Sequence, residues 1–352
     1  MNRKKLDNIF EKYQIDALIS EAPQTRLWYS GIQTTDGYLV IEKDKATLFV
    51  DGRYIEYAKK YAKNVDIVLL QGNVMSDWLK AKNFKKIALE KDYLIKQVQD
   101  HIIKLIEPHE IMWVSAQELR IVKSKEELIK MQAVIDISMK ALDEFKKWVK
   151  PGVTEKEAAA MLNFILKKNG ADKEGFDEII ASGPNSAEPH HHPTDKVIEN
   201  NHLLKVDFGA LYQGYTADIT RTFIVGDESK TNEEAKKILQ IVKEAAALGR
   251  KAVKPGIKVS EIDKICRDYI TEKGYGKYFT HSTGHGLGID VHELPSVSSR
   301  SQTILEPGMI ITVEPGIYIE GLGGARIEDD VLVTENGHYV FSRPEETNEK
   351  PF

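Results

Sequence analysis

The chain has a single cysteine, Cys266, in 352 residues. No intrachain disulfide can form, and thiolate metal clusters are excluded. Cys266 lies in the helix-like run 259–266 and reads as a small buried apolar residue. No apolar run approaches the ~20 residues needed to cross a bilayer, so no membrane partner is expected. The start, Met1-Asn2-Arg3-Lys4-Lys5-Leu6-Asp7, is charged, and no signal-peptide core follows it. That pattern predicts a cytoplasmic protein. Basic residues are not in excess either. The net charge is −5, which argues against a nucleic-acid partner, whose footprint is a basic face. What remains is an ordinary globular balance, 41% hydrophobic and 29% charged, unlike a disordered or fibrous chain. At roughly 150 residues per domain, the length predicts about two domains.

Residues 1–120 read as a mixed α/β unit. Leu6 to Tyr13 is a short amphipathic helix, and Ala17-Leu18-Ile19-Ser20 a short strand. Tyr38-Leu39-Val40-Ile41 and Thr47-Leu48-Phe49-Val50 flank a polar turn, a hairpin signal. Helical stretches near 53–63 and 92–106 alternate with strands near 65–70 and 86–89, which suggests a partly parallel sheet covered by helices. A long helix should begin near Ser124, where Ser124 and Glu127 form a capping box. Leu128, Met131, Ile135, Met139, Leu142, Phe145 and Val149 then recur at three- and four-residue steps as one apolar stripe. The domain boundary is placed at 120, with residues 121–352 as the second domain.

That second part contains a faint repeat. Val149-Lys150-Pro151-Gly152-Val153-Thr154 returns as Val253-Lys254-Pro255-Gly256-Ile257-Lys258. Each copy follows one helix and precedes another, capped by Thr154 with Glu157 in the first and Ser260 with Asp263 in the second. A β-rich hairpin carrying two acids comes later in each half. The order predicts a two-fold pseudo-symmetric domain. If the first hairpin centres on Tyr212-Gln213-Gly214, Asp207 and Asp218 face each other across the strands, about 5 Å apart. The second folds about Gly321 and pairs Glu314 with Glu328. Like charges placed so repel by roughly 3 kcal/mol per pair at an effective dielectric of ~20. Two divalent cations would balance the four carboxylates. Between the hairpins, His281-Ser282-Thr283-Gly284-His285-Gly286 continues to His292-Glu293-Leu294-Pro295. Three histidines on a glycine-rich segment suggest imidazoles aimed at a ligand. Earlier, His190-His191-His192 are adjacent, so in extended chain they cannot all point one way. At most one or two act, and His191 reads as part of an exposed polar loop.

These residues resemble a known set. Val206-Asp207-Phe208-Gly209, Asp218-Ile219-Thr220-Arg221, Gly284-His285-Gly286-Leu287-Gly288, Val313-Glu314-Pro315-Gly316 and Arg326-Ile327-Glu328-Asp329 look like the ligand segments of the pita-bread metallopeptidases. That group includes methionine aminopeptidase, aminopeptidase P and Xaa-Pro dipeptidase (prolidase). The added 120-residue N-terminal part is similar to the proline-specific members, as are His292-Glu293-Leu294-Pro295, Trp28-Tyr29-Ser30-Gly31 and Asp51-Gly52-Arg53-Tyr54. The implied fold is α+β: an N-terminal mixed α/β creatinase-like domain followed by a pseudo-two-fold pita-bread catalytic domain.

The resemblance implies two divalent ions held by Asp207, Asp218, His285, Glu314 and Glu328, with Asp218 and Glu328 bridging. An oxygen-rich shell with one imidazole suits Mn²⁺, and Co²⁺ is expected to support activity. Glu314 would relay a proton, while His190 and His292 would steady substrate and oxyanion. His281 would line the proline pocket. Arg326 would orient a bridging carboxylate, meet substrate or form a structural salt bridge. The implied reaction is hydrolysis of an Xaa-Pro bond at a peptide N-terminus, by a homodimer. Two other readings stay open: a non-proline-specific aminopeptidase on the same fold, and a pita-bread protein that binds without catalysis. In several Xaa-Pro dipeptidases an arginine closely follows the H-E-x-P segment. Here Ser296-Val297-Ser298-Ser299-Arg300 follows instead, which leans the expectation towards an aminopeptidase P-like enzyme that tolerates a continuing chain.

Overall fold

The structure, a computed structural model, describes residues 1–346. The chain divides into two compact units, Met1–Arg120 and Ile121–Phe352.

In the first unit the elements are α1 (Lys4–Tyr13), β1 (Ala17–Ser20), α2 (Pro23–Ser30), β2 (Tyr38–Ile41), β3 (Ala46–Val50), α3 (Ile55–Tyr61), β4 (Asp66–Leu69), α4 (Val74–Lys82), β5 (Lys86–Glu90), α5 (Lys96–Ile106), β6 (Glu110–Val114) and α6 (Ala116–Arg120). They build one six-stranded sheet, ordered β4-β3-β2-β1-β5-β6. Strand β2 runs antiparallel to β1 and β3, and the other neighbours are parallel. Strands β1 and β3 are buried throughout, as expected where helices cover both faces of a sheet. Four elements lie outside the sequence expectation: α2, α4, β6 and α6. The reason is plain for α2, whose residues Thr25–Ser30 are all buried. It has no solvent-exposed face, and its buried Thr25, Arg26 and Ser30 interrupt any apolar periodicity.

The second unit opens with α7 (Lys125–Trp148) and α8 (Glu155–Lys168), followed by β7 (Lys173–Glu174), β8 (Ile179–Ser182), β9 (His202–Phe208), β10 (Ala210–Tyr212), β11 (Tyr215–Thr216) and β12 (Ile219–Val225). Its second half repeats the plan with α9 (Glu233–Ala252), α10 (Val259–Glu272), β13 (Gly284–Gly286), β14 (Glu293–Val297), β15 (Ile310–Val313), β16 (Gly316–Ile319), β17 (Gly323–Arg326), β18 (Asp329–Val333) and β19 (His338–Val340). Full capping boxes start α7 at Ser124 and α8 at Thr154. Helix α10 departs from expectation. Its N-cap is Lys258, without a side-chain cap, and Asp263 instead accepts from the Thr283 amide (3.1 Å) and hydroxyl (2.9 Å).

The pseudo-symmetry appears in the backbone bonds. Gly152 N donates to Ile198 O, Ile198 N to Val153 O, and Glu155 N to Lys196 O. After the second Pro-Gly turn, Gly256 N donates to Leu305 O, Leu305 N to Ile257 O, and Val259 N to Thr303 O. Each half buries its own helix pair. Met131, Ile135, Leu142 and Leu162 pack with Val206 and Phe208, while Ile238, Val242, Ile262 and Cys266 pack with Ile311 and Val313. Full burial of one such aliphatic side chain is worth roughly 1.5–3 kcal/mol. Strands β8, β9 and β12 form one antiparallel sheet, and β14-β13-β15-β18-β19 another. Their acid-bearing strands line the cavity described next.

Candidate metal centre and active site

The first hairpin is in a different register from the expected one. Gln213 and Gly214 both have positive φ, 50° and 80°, the signature of a two-residue type I′ turn. The turn pairs Tyr212 with Tyr215, and the outer strands then pair Asp207 with Thr220. Asp218 lies just before β12 and sits diagonally from Asp207, not opposite it. The second hairpin keeps the expected register. Ile319 pairs with Gly323 around Gly321, and Val313 pairs with Asp329 further down. Glu314 and Glu328 fall between the two ladders. Their amides leave the hairpin, Glu314 N donating to Thr283 O and Glu328 N to Thr220 O. The second bond ties one half to the other at the site.

Five candidate ligands converge there. Ligand atoms of Asp218, His285 and Glu328 all lie within 4.8 Å of one another. His285 Nε2 is 3.5 Å from Asp218 Oδ2 and 3.4 Å from Glu314 Oε1. His285 Nδ1 donates to Gly286 O at 3.0 Å, which leaves Nε2 as the ligating atom. Burial lowers the His285 pKa, so the ring stays neutral. Asp207 completes the set, with Oδ2 paired to Arg326. Its buried Oδ1 has no hydrogen-bond partner among the described residues.

The electrostatics fit a cation. Burial, then the Glu328 charge, pushes the Asp218 carboxyl well above its ordinary range. Burial, then Glu314 and Asp207, does the same to Glu328. Burial raises Glu314 too. Carboxylates this crowded and dehydrated need protons or metal ions to neutralise them. The donor set is four carboxylates and one neutral imidazole, and with the orphaned Asp207 oxygen it suits hard or borderline divalent ions.

A cavity of about 340 Å³ opens onto these ligands. His190, His281, His292 and Arg326 line it, as do the apolar Phe176 and Ile179. The His292 ring stands edge-on to His285 with centroids 4.4 Å apart. His281 is fully engaged: Nδ1 meets Ser282 O (2.7 Å) and Nε2 meets the Tyr318 hydroxyl (2.8 Å). It can therefore offer a substrate only its ring. Burial raises the Tyr318 pKa to about 12, so the phenol keeps the proton it gives His281. The Arg326 guanidinium is also spent on protein. It donates to Asp207, Thr220 Oγ1 (2.9 Å), Tyr318 Oη (3.1 Å) and Pro189 O (3.2 Å). Its carboxylate partner is Asp207, not one of the two acids expected to bridge, an arrangement that also fits a structural salt bridge.

His191 differs from expectation. It is buried, with Nε2 2.9 Å from Glu155 Oε2 and Nδ1 2.7 Å from Glu188 Oε2. It anchors the loop, while its neighbours His190 and His192 remain exposed on the cavity wall. Arg300 sits in an exposed turn and is not among the residues lining the cavity. Sequence reasoning missed Tyr318, Glu155 and Lys205. Only Lys205 carried a signal. It lies two residues before Asp207, on the same face of an apolar strand.

This combination of folded halves, ligand cluster and histidine-lined cavity defines a metallopeptidase. The chain belongs to metallopeptidase family M24, whose model matches residues 129–335. A creatinase/prolidase N-terminal domain matches residues 2–147. An uncharacterized peptidase of Bacillus subtilis is 40% identical over 97% of this chain and 98% of its own. The Xaa-Pro dipeptidase of Pyrococcus furiosus is 38% identical, covering 97% of each chain. Among solved structures, an Xaa-Pro dipeptidase from Bacillus anthracis superposes with a TM-score of 0.91 at 38% identity, over 99% of this chain and 97% of that one.

Proposed function

We propose that the protein hydrolyses the Xaa-Pro bond at peptide N-termini. The observation that carries this reading is the five-ligand cluster at the floor of a cavity walled by His190, His281 and His292. The names of its relatives support the proline preference. Asp207, Asp218, His285, Glu314 and Glu328 would hold two divalent ions, manganese by preference, with Asp218 and Glu328 shared. Such a pair supplies Lewis acidity and a water acidified to near neutrality.

The chain's own groups do the rest. Glu314, on the cavity wall beside His285, takes the proton of the attacking water and passes it to the leaving nitrogen. Burial keeps His292 neutral, so one ring N–H is free to donate to the developing oxyanion. His190 faces it from the opposite loop. Phe176, Ile179 and the His281 ring give the proline an apolar seat. An Xaa-Pro bond is a tertiary amide without N–H. This wall asks for none, because His281 and Arg326 have already spent their polar atoms.

Dipeptides and longer chains should both enter. Among the described residues no unengaged guanidinium lines the cavity to select a free carboxylate. The proposal includes a cytoplasmic homodimer; no described helix is long and apolar enough to cross a membrane. The test is hydrolysis of Xaa-Pro, Xaa-Pro-Yaa and Xaa-Ala peptides by protein stripped with chelator and reloaded with Mn²⁺. We expect activity only after reloading, kcat/KM for the two proline substrates within about tenfold (1.4 kcal/mol) of each other, and little cleavage of Xaa-Ala. Equal turnover of Xaa-Ala, or full turnover without metal, would overturn it.

A further inference from the structure

Lys205 is fully buried in β9, a position whose neighbours Leu203, Leu204 and Val206 are apolar. Burying a side-chain amine is costly unless it finds hydrogen-bond partners. Nζ has three here, on one short segment. Lys205 Nζ donates to Ser186 O (3.2 Å), Glu188 O and Pro189 O (3.2 Å). The next residue is His190. The carbonyl of Pro189 also receives Arg326 Nη1 at 3.2 Å, and Lys205 Nζ stands 5.1 Å from the Tyr318 ring centroid. The backbone that delivers His190 to the cavity is thus gripped by two donor side chains, one from each half of the unit.

We infer that Lys205 is a positioning residue for His190: its Nζ holds the 186–189 carbonyls and thereby sets where the His190 imidazole meets the substrate. Two observations separate this from general packing. The contacts go to main-chain carbonyls of a single turn and not to a counter-ion. The far end of the same loop has its own anchor, His191 on Glu155, so Lys205 is not needed to hold the loop to the body. What it controls is the stretch between the two anchors. The inference rests on the catalytic role proposed for His190.

The test is a double-mutant cycle on the metal-loaded full chain with an Xaa-Pro dipeptide, read alongside amide hydrogen exchange. Lys205→Met keeps the length of the side chain and removes its donors. We expect kcat to fall by up to roughly 10²-fold, as for about 1 Å of misplacement, with metal content unchanged and KM moving far less. In a His190→Ala background the same change should cost less than about twofold, because the residue it acts through is gone. Exchange should speed up at 186–190 and stay unchanged at Thr194. An equal cost in both backgrounds with unchanged exchange would overturn the inference. So would loss of metal and fold in both Lys205→Met and Lys205→Gln, which would make Lys205 a folding residue. If the wild type cleaves no Xaa-Pro peptide, the peptidase proposal fails by itself, and the exchange pattern still decides whether Lys205 holds this segment.

Discussion

The two halves of the second unit carry the same plan but close their acid-bearing hairpins differently. The first turns through Gln213-Gly214, the second through Glu320-Gly321-Leu322. The first turn falls one residue beyond the position that would oppose its acids, so Asp218 stands diagonal to Asp207, while Glu314 and Glu328 keep facing register positions. The anchoring acids differ as well. In the first half Glu155 accepts from Ser182 N and Oγ, Thr194 N and Oγ1, Asn185 and His191. In the second, among the described residues, Asp263 accepts from Thr283 N and Oγ1 and from Arg267. Duplicated frames can thus hold unequal sites: two rows of candidate ligands meet at one cavity from different registers.

The severest way to break the comparison is to remove one ligand from the shared centre. Asp218→Asn should abolish nearly all turnover and reduce metal content, well beyond the roughly 10²-fold cost of losing an outer partner. His292→Ala should keep the metals and lose about 10²-fold or more in kcat, as for a lost oxyanion donor. Elemental analysis beside steady-state kinetics checks both. Metal loss in His292→Ala with retention in Asp218→Asn would reverse the two roles.

Next come the anchors. Glu155→Gln places an amide among six donors and should cost about 2–3 kcal/mol by urea unfolding. Asp263→Asn should cost less, since fewer donors depend on it. Equal costs would mean that the halves are held alike.

The turn itself offers a smaller effect. Gly214→Ala puts a Cβ on a residue with φ of 80° and should cost roughly 1–2 kcal/mol, read as a lower Tm with the metal content kept.

The mildest test is one of pH. Burial raises the Glu178 carboxyl to about 7, and its Oε1 has no partner among the described residues. With a folded pKa above the unfolded one, stability is full below the ordinary carboxylate range and is lost as pH rises towards 7. Glu178→Gln should therefore raise Tm at pH 8 relative to wild type and do nothing comparable at pH 5. Glu155 should respond oppositely. Its hydrogen bonds, His191's foremost, outweigh burial and lower its pKa, so its contribution is present above the ordinary range and fades as pH falls below it. Differential scanning fluorimetry across pH separates the two.

Much of the frame could be read from local rules. The Ser124–Glu127 and Thr154–Glu157 caps act within four residues, and both stand where the pattern placed them. The repeated Pro-Gly turns marked the pseudo-symmetry. The Gly321 midpoint put Glu314 opposite Glu328. The Ser260–Asp263 cap failed because Asp263 had a distant competitor, Thr283, whose buried amide and hydroxyl needed an acceptor more than a helix end did. His191 likewise looked exposed until Glu155 supplied a buried acid for it.

By itself the sequence determined which candidate groups the fold would gather: five ligand-type side chains in two hairpins and a glycine-rich segment, with histidines on both sides. Those follow from residue identity and short-range periodicity. Only the tertiary structure decided the inward turn of His191 onto Glu155 and the meeting of Lys205, Tyr318 and Arg326 over Pro189. The physical reason is range. A cap or a turn is set by energies among neighbours in the chain. These contacts join residues far apart in sequence, and each exists because a buried donor or charge, once the two halves close, has to find its partner across the interior.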